Sequence, residues 1–295
     1  MTVIATAGHV DHGKSSLVRS LTGTDPDRLE EEKRRGLTID LGFAHTVLPS
    51  GTELSFIDVP GHVKFLRNML AGVGGVSACV FVVAATEGWK PQSEEHLRIL
   101  ELLGISHGII ALTKVDLVDD EWLELAQMEV ADHVEGTFLE GAPMVSVSSK
   151  SGTGLDAMRR ELDALIERSS AAVDRKRPRL WLDRVFAAKG SGTVGTGTLV
   201  GGTLQNDQLV SIEPGGHSAR VRTIQTAGNT VEQIGAGNRV AVNLAGVDHT
   251  DVKRGDAVIE PGRWRLTERF DASLRVLDAL DHDVSRRGAY VAYIG

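Results

Sequence analysis

The sequence predicts an α/β domain on a mostly parallel sheet with helices on both faces, then an antiparallel β-barrel, then the start of a second barrel. Three observations lead there. Residues 1–170 alternate short apolar runs with helix-like segments. Runs that are apolar throughout and separated by helices belong to parallel strands covered on both faces. From Leu180 to Arg265 the texture changes to short β-branched runs punctuated by glycine pairs, with no helical period of useful length. That is the pattern of a small antiparallel barrel. After Thr267 a new strand-like start follows, FDASLRVL and then AYVAYIG.

The elements follow in order. Val3–Gly8 reads as the first strand, and Lys14–Leu21 opens a helix. Leu54–Pro60, Val80–Ala85, Gly108–Asp116 and Pro143–Ser149 read as further strands, and Glu94–Leu103 and Trp122–Glu135 carry helical periodicity. The charged, proline-containing stretch before residue 180 reads as a linker. The division is 1–170 for the α/β domain, 171–179 for the linker, 180–266 for the barrel and 267–295 for a truncated third domain.

Composition narrows the function classes. The chain has 295 residues, enough for two domains and part of a third. Hydrophobic residues make up 41% and charged residues 24%, so ordinary cores can be buried. A net charge of −8 argues against attraction of nucleic acid by the whole surface. The best local basic run, Asp174–Arg179, reads equally as a solvated linker. No run of about 20 apolar residues is present, so no membrane span is expected. The start MTVIATAGHV has no basic region followed by an apolar one, so no signal peptide is read there and a cytoplasmic protein is expected. The lone Cys79 excludes an internal disulfide and a cysteine-cluster zinc site, and its apolar surroundings make it a small core residue.

Residues 8–15, Gly-His-Val-Asp-His-Gly-Lys-Ser, fit G-x-x-x-x-G-K-[ST] between a strand and a helix. Glycines there let backbone N–H groups curl around phosphates, and the helix N-terminus adds partial positive charge. The phosphate-binding candidates are Asp11, His12, Gly13, Lys14, Ser15 and Ser16, with Gly61 sensing the γ-phosphate. Lys14 reaches the β- and γ-phosphates, and Ser15 is a Mg²⁺ ligand candidate. Asp58-Val59-Pro60-Gly61 ends the second strand, where Asp58 can hold Mg²⁺ through water. Thr113-Lys114-Val115-Asp116 ends a later strand, where the Asp116 carboxylate can accept both N–H donors of the guanine edge, a pair that adenine lacks. Ser148-Ser149-Lys150 ends the last strand and closes the base pocket. Each segment alone fits an ordinary turn. Together they stand in order at the C-terminal ends of apolar strands, where open α/β sheets bind ligands.

These segments resemble the translational GTPase family, whose signatures also include Asp-x-Pro-Gly-His and Arg-Gly-x-Thr-Ile, here Arg35-Gly36-Leu37-Thr38-Ile39. The resemblance implies a P-loop GTPase that uses GTP or GDP and Mg²⁺. It further implies that Thr38 contacts Mg²⁺ and the γ-phosphate, that His62 orients the attacking water, and that Val10 and Leu37 form an apolar gate beside it. Thr113 stands where the family carries asparagine, so the resemblance carries over guanine selection by Asp116 but not the asparagine's loop-bracing role. Residues 22–45, ending Thr-Ile-Asp-Leu-Gly-Phe-Ala-His, are similar to the short switch segment of the selenocysteine-specific elongation factors. The segments LDRVF (182–186) and GNRVAVNL (237–244) resemble the same subfamily. They imply a selenocysteine pocket of Asp183, Arg184 and Arg239, with selenocysteinyl-tRNA and the ribosome as partners of a monomer. The subfamily's C-terminal modules that read an mRNA hairpin are not in these residues. A factor with another client and a binding module with vestigial hydrolysis are the alternatives. The Lys14, Ser15, Thr38, Asp58 and His62 set argues against the second of these.

Guanine selection is expected to rest on Asp116. Asp116→Asn exchanges an acceptor for a donor and shifts preference from GTP towards xanthosine triphosphate. Nucleotide titrations check this, and wild-type protein that takes ATP as readily as GTP contradicts it.

Overall fold

The computed structural model describes residues 2–35, 38–61, 68–70, 75–169, 172–188 and 192–274, with 276, 284, 285, 288, 290 and 292. A six-stranded sheet is built from β1 (Thr2–Ala7), β2 (Gly42–Val47), β3 (Glu53–Asp58), β4 (Ala78–Ala84), β5 (Gly108–Thr113) and β6 (Met144–Ser146). Its order is β2-β3-β1-β4-β5-β6. All pairings are parallel except β2 with β3. The helices are α1 (Lys14–Thr22), α2 (Glu30–Arg35), α3 (Pro91–Leu102), α4 (Asp120–Val134) and α5 (Leu155–Arg168). Leu17, Val18, Leu21, Met158, Leu162 and Leu165 bring α1 and α5 onto one face of the sheet. Leu97, Leu100, Val130 and Val134 bring α3 and α4 onto the other. Alternate strand residues feed the two cores, with Phe81 and Val83 on one side and Val80 and Val82 on the other. Cys79 lies wholly buried in β4, and burial pushes its thiol pKa up.

Two elements are absent from the sequence expectations. β2 is an edge strand covered on one side, so its residues alternate rather than forming an apolar run. α5 places only Met158, Leu162 and Leu165 in the core within a charged segment. Two expected strands are shorter than predicted. β5 stops at Thr113, because Lys114 turns left-handed at φ 59° and Val115–Leu117 form a single 3₁₀ turn. β6 stops at Ser146, and residues 147–149 join the loop leading to α5. The polar tails of these runs therefore hang off the sheet edge as loops. The charged segment 27–35 reads as an exposed helix by composition, yet Glu32 in α2 is only 3% exposed.

Ten short strands follow: β7 (Arg179–Trp181), β8 (Arg184–Ala188), β9 (Gly192–Val200), β10 (Leu204–Gln205), β11 (Leu209–Glu213), β12 (His217–Thr226), β13 (Asn229–Val231), β14 (Gln233–Ile234), β15 (Arg239–Ala245) and β16 (Ala257–Ile259). Six of them close a ring, β11-β16-β7-β9-β15-β12 and back to β11, and every pairing is antiparallel. Closure leaves no open edge on that ring. Leu180, Leu199, Val221, Val242 and Val258 fill its interior. At Gly197 a Cβ would stand 2.0 Å from the Trp181 carbonyl oxygen, so only glycine lets β9 pass there. The basic run 174–179, which ends on the first residue of β7, is partly packed, because the Arg179 guanidinium lies over the rings of Trp181 and Trp264 at 4.7 and 4.5 Å. Beyond Thr267 the described residues lie outside helices and strands. Among the described residues no helix is long and apolar enough to cross a membrane.

Candidate functional site

The loop from β1 to α1 curls tightly because Gly8, Asp11 and Gly13 take positive φ values of 130°, 62° and 86°. A Cβ on Gly8 would meet the Val82 carbonyl oxygen at 2.1 Å. Lys14, 5% exposed, donates from Nζ to the carbonyls of Gly8 and His9 at 3.1 and 2.8 Å. Burial lowers its pKa to about 8, against the opposing pull of Asp58, Asp11 and Asp27. Its ammonium has loop carbonyls as hydrogen-bond partners, a place suited to phosphate oxygens. At Gly61 a Cβ would fall 2.6 Å from both Lys14 Nζ and Val10 N, so the end of β3 can come this close only as glycine.

Three contacts brace the loop from behind. The Gly8 N–H donates to His96 Nδ1 at 3.1 Å, and the Val10 N–H to Gln92 Oε1 at 3.2 Å. Thr113 Oγ1 donates to the His12 carbonyl at 2.6 Å. The bracing contact expected of an asparagine is thus made by the threonine hydroxyl. Burial lowers the pKa of His96 to about 3 and that of His12 to about 4, so both rings are neutral. The sequence reading misses His96 and Gln92. Their signal, polar residues in the first turns of a helix that starts near a strand end, is too common to single out.

The oxygens around Ser15 form a chain. Asp58 Oδ2 accepts from Ser15 Oγ at 2.6 Å, Ser15 Oγ lies 2.8 Å from Thr38 Oγ1, and Thr38 Oγ1 donates to Asp27 Oδ1 at 2.9 Å. Thr6 Oγ1 holds the other Asp58 oxygen at 2.7 Å. Two hydroxyl hydrogens cannot serve three oxygen–oxygen contacts. The shortage is met by a proton on a carboxyl group or by a cation. Burial raises the Asp27 pKa to about 6 and that of Asp58 as well. This hard-oxygen set fits Mg²⁺. Among the described residues no group of three or more His, Cys, Asp or Glu side chains converges. A magnesium ion here therefore needs the hydroxyls and the oxygens of a bound phosphate.

These groups open onto one cavity of 760 Å³. Val10, Asp11, Gly13, Lys14, Ser15, Ser16, Thr38 and Gly61 line it together with Thr113, Lys114, Asp116, Ser149 and Lys150. Arg19, Asp25, Asp27, Glu32 and Leu117 also line it and escape the sequence reading. His12 and Ser148 are wholly buried beneath their loops. Ser148 Oγ accepts from the N–H groups of Lys150 and Ser151 at 3.2 and 3.1 Å, so it shapes the loop instead of walling the cavity. Lys114 pairs with Glu87 at 2.9 Å. His62 and Leu37 lie outside the described residues.

Asp183, Arg184 and Arg239 come together where the barrel meets the flank of β2. Asp183, 4% exposed, accepts both Nη atoms of Arg239 and the Thr196 hydroxyl. Arg184 donates to the Leu41 carbonyl. Both guanidinium groups stack on Phe43, Arg239 at 3.3 Å and Arg184 at 4.3 Å from the ring centroid. Burial lowers the Arg184 pKa to about 10, with Arg28 and Arg239 adding to the effect and Asp183 opposing it. Cavities of 210 and 510 Å³ flank the constellation.

A left-handed glycine loop around a buried lysine, a neighbouring cluster of carboxylate and hydroxyl oxygens, and Asp116 in the same cleft, on a mostly parallel sheet followed by a closed barrel, are the features of a nucleotide-binding protein of the translation-factor type. The chain belongs to the elongation factor Tu GTP-binding domain family, whose model matches residues 1–168. It is 43% identical over 287 residues to the selenocysteine-specific elongation factor of Desulfomicrobium baculatum, covering 97% of this chain and 45% of that one. To the factor of the same name from Escherichia coli K12 it is 42% identical, over 86% of this chain and 41% of the other. The crystal structure of a bacterial selenocysteine-specific elongation factor, EF-Sec, superposes with a TM-score of 0.84 at 42% identity, covering 88% of this chain and 45% of that one. The elongation factor SelB of Methanococcus maripaludis, in complex with the GTP analogue GppNHp, gives 0.79 at 28% identity over 88% of this chain and 55% of that one. The chain thus spans less than half the length of the bacterial relatives it matches.

The Thr113 brace generates an expectation. Thr113→Val leaves the His12 carbonyl without its donor and loosens the phosphate loop. GTP and GDP are expected to weaken together by about tenfold, the cost of one unsatisfied buried group, measured as two dissociation constants.

Proposed function

We propose that this chain is the nucleotide-driven part of a selenocysteine-specific elongation factor. On this reading it binds selenocysteinyl-tRNA in the GTP state, delivers it to the ribosome in the cytoplasm, and hydrolyses GTP to GDP and phosphate. The observation that carries the reading is the buried Lys14 beside the Ser15–Asp58–Thr38 oxygen chain, in a cleft that Asp116 also lines. The distribution suits a nucleoside triphosphate, with phosphates at Lys14 and guanine at Asp116, Ser149 and Lys150. Ser15, Thr38 and Asp58 would hold Mg²⁺, Asp58 through water. When bound, Mg²⁺ offsets charge on the β- and γ-phosphates.

The residues' own work is then positioning. Lys14 and the N–H groups of the loop hold the phosphates in line for attack. Thr38 and Gly61 contact the γ-phosphate. His62 orients a water towards the γ-phosphorus, and the bond to the β,γ-bridging oxygen breaks with that oxygen leaving on GDP. Val10 and Leu37 flank the water. The division into 1–170, 171–179, 180–266 and a further unit from 267 suits this reading, as does a monomer. Contact with an mRNA hairpin would belong to segments outside these residues.

Selection of the aminoacyl group would fall to Asp183, Arg184 and Arg239. A selenol ionises more readily than a thiol, whose reference pKa is about 8.5, so the esterified side chain is largely an anion near neutral pH. Serine on the same tRNA stays neutral. Guanidinium groups reward the anion with charge-assisted hydrogen bonds and gain little from a hydroxyl. The tight Asp183–Arg239 pair supports the part of Asp183 as the group that orients one arginine and limits the net charge.

Two measurements test the proposal. His62→Ala is expected to leave GTP affinity nearly unchanged and to lower ribosome-stimulated turnover on the order of 100-fold, because orientation of water counts only near the transition state. Unchanged stimulated turnover removes His62 from that role. Arg184→Ala and Arg239→Ala are expected to keep GTP binding and lose the preference for selenocysteinyl-tRNA over seryl-tRNA on the same tRNA body. If both variants discriminate as the wild type does, the pocket lies elsewhere.

A further inference from the structure

One buried carboxylate on the wall of the nucleotide cleft has work that a helix cap does not account for. Glu32 is 3% exposed within an otherwise charged, exposed stretch. It stands three residues after Leu29, at the third position of α2. Its Oε2 accepts the backbone N–H groups of Arg28 and Leu29 at 2.9 and 2.8 Å. That half is local, since a glutamate at this position commonly reaches back to the N–H at the start of its helix. Its Oε1 accepts the N–H groups of Ile39 and Asp40, both at 3.0 Å. A helix cap has no need of this second pair, seven and eight residues further on.

The two pairs bind opposite ends of the 28–40 segment to one carboxylate. Thr38, whose hydroxyl touches Ser15 and Asp27, directly precedes the stapled Ile39. Asp40, the other stapled residue, pairs through its own carboxylate with Arg254 of the barrel at 2.7 Å. The next carbonyl, that of Leu41, accepts from Arg184. Glu32 thus sits between the oxygen chain at the cation site and the barrel arginines. We propose that Glu32 is a positioning residue that staples the switch segment, holding Thr38 at the γ-phosphate side of the cleft and Asp40 and Leu41 on Arg254 and Arg184. The inference rests on the nucleotide reading of the cleft and does not require the selenocysteine pocket. On the nucleotide reading of the cleft Thr38 meets the γ-phosphate that GDP lacks, so the staple is expected to strengthen binding of GTP and leave GDP nearly unchanged.

Glu32→Gln separates the two halves of the residue. An amide still caps α2 with its oxygen, but its NH₂ then faces two N–H donors, and either orientation leaves one pair of amides without an acceptor. The experiment measures dissociation constants of fluorescent GppNHp and fluorescent GDP, with Mg²⁺, for the wild type, Glu32→Gln and the exposed neighbour Glu31→Gln. Glu32→Gln is expected to weaken GppNHp on the order of tenfold, as expected when buried amides lose a charged acceptor, and to move GDP no more than about twofold. Glu31→Gln is expected to behave as the wild type. Equal loss of both nucleotides, or loss of neither, overturns the proposal. A wild type that binds neither nucleotide overturns instead the reading of the cleft. Should Glu32→Gln fail to fold, hydrogen exchange on the wild type still decides. The amides of Ile39 and Asp40 are expected to be protected with GppNHp and released with GDP, and exchange as fast as in an open chain with GppNHp bound overturns the staple.

Discussion

A positive charge kept out of water governs the nucleotide end of this protein. The Lys14 ammonium is buried at the start of α1, and an unpaired ammonium in that position would be costly. The chain answers by curling its own carbonyls around it, which requires the left-handed turns at Gly8, Asp11 and Gly13. It also sets Asp11, Asp27 and Asp58 near enough to oppose the lowering of the lysine's pKa. Asp58 is in turn hydrogen-bonded by Ser15 and Thr6, and Asp27 by Thr38. The balance suits anionic phosphate arriving together with a cation, since each supplies what the other side lacks.

The same economy of charge joins the α/β unit to the barrel. Three barrel arginines face the stretch from Asp40 to Phe43, which leads into β2. Arg254 pairs with the Asp40 carboxylate, Arg184 with the Leu41 carbonyl, and Arg239 lies flat on the Phe43 ring while Asp183 holds its other edge. Removing one partner of a pair as buried as Asp183 and Arg239 leaves an uncompensated charge and costs roughly 3–5 kcal/mol. The pair itself is therefore better understood as fixing geometry than as adding stability. Because only Ile39 separates Thr38 from the stretch 40–43, a change at the phosphate end and a change at the barrel arginines act on the same few residues.

Much of this was legible in the sequence because it depends on local pattern. Apolar runs of the right length announced β1, β3, β4 and β5, and the residues just beyond them announced the cleft. In a parallel sheet the polar residue that ends a buried strand has nowhere to go but the ligand-binding edge. Asp116 and Lys14, 102 positions apart by their numbers, share a cavity for that reason alone. Glycine pairs and β-branched runs likewise announced the barrel. Thr113 was legible as a departure from the family, but its hydrogen bond to the His12 carbonyl was not, since a hydroxyl's partner depends on which loop folds over it.

By itself, the sequence determined the order of elements and the chemistry available at each strand end, because backbone propensity, hydrophobic period and residue type act over short stretches. Only the tertiary structure decided which of those groups meet. It buried Glu32 in a segment whose composition reads as solvent-exposed and bonded it to four amides from two separate turns. It brought His96 and Gln92 from α3 behind the phosphate loop, turned Ser148 inward and closed Asp183 on Arg239 across 56 positions. These contacts join residues far apart in the chain. Their pairing is set by strand order, helix packing and the cost of leaving a buried polar group without a partner, and none of these is written in a local pattern.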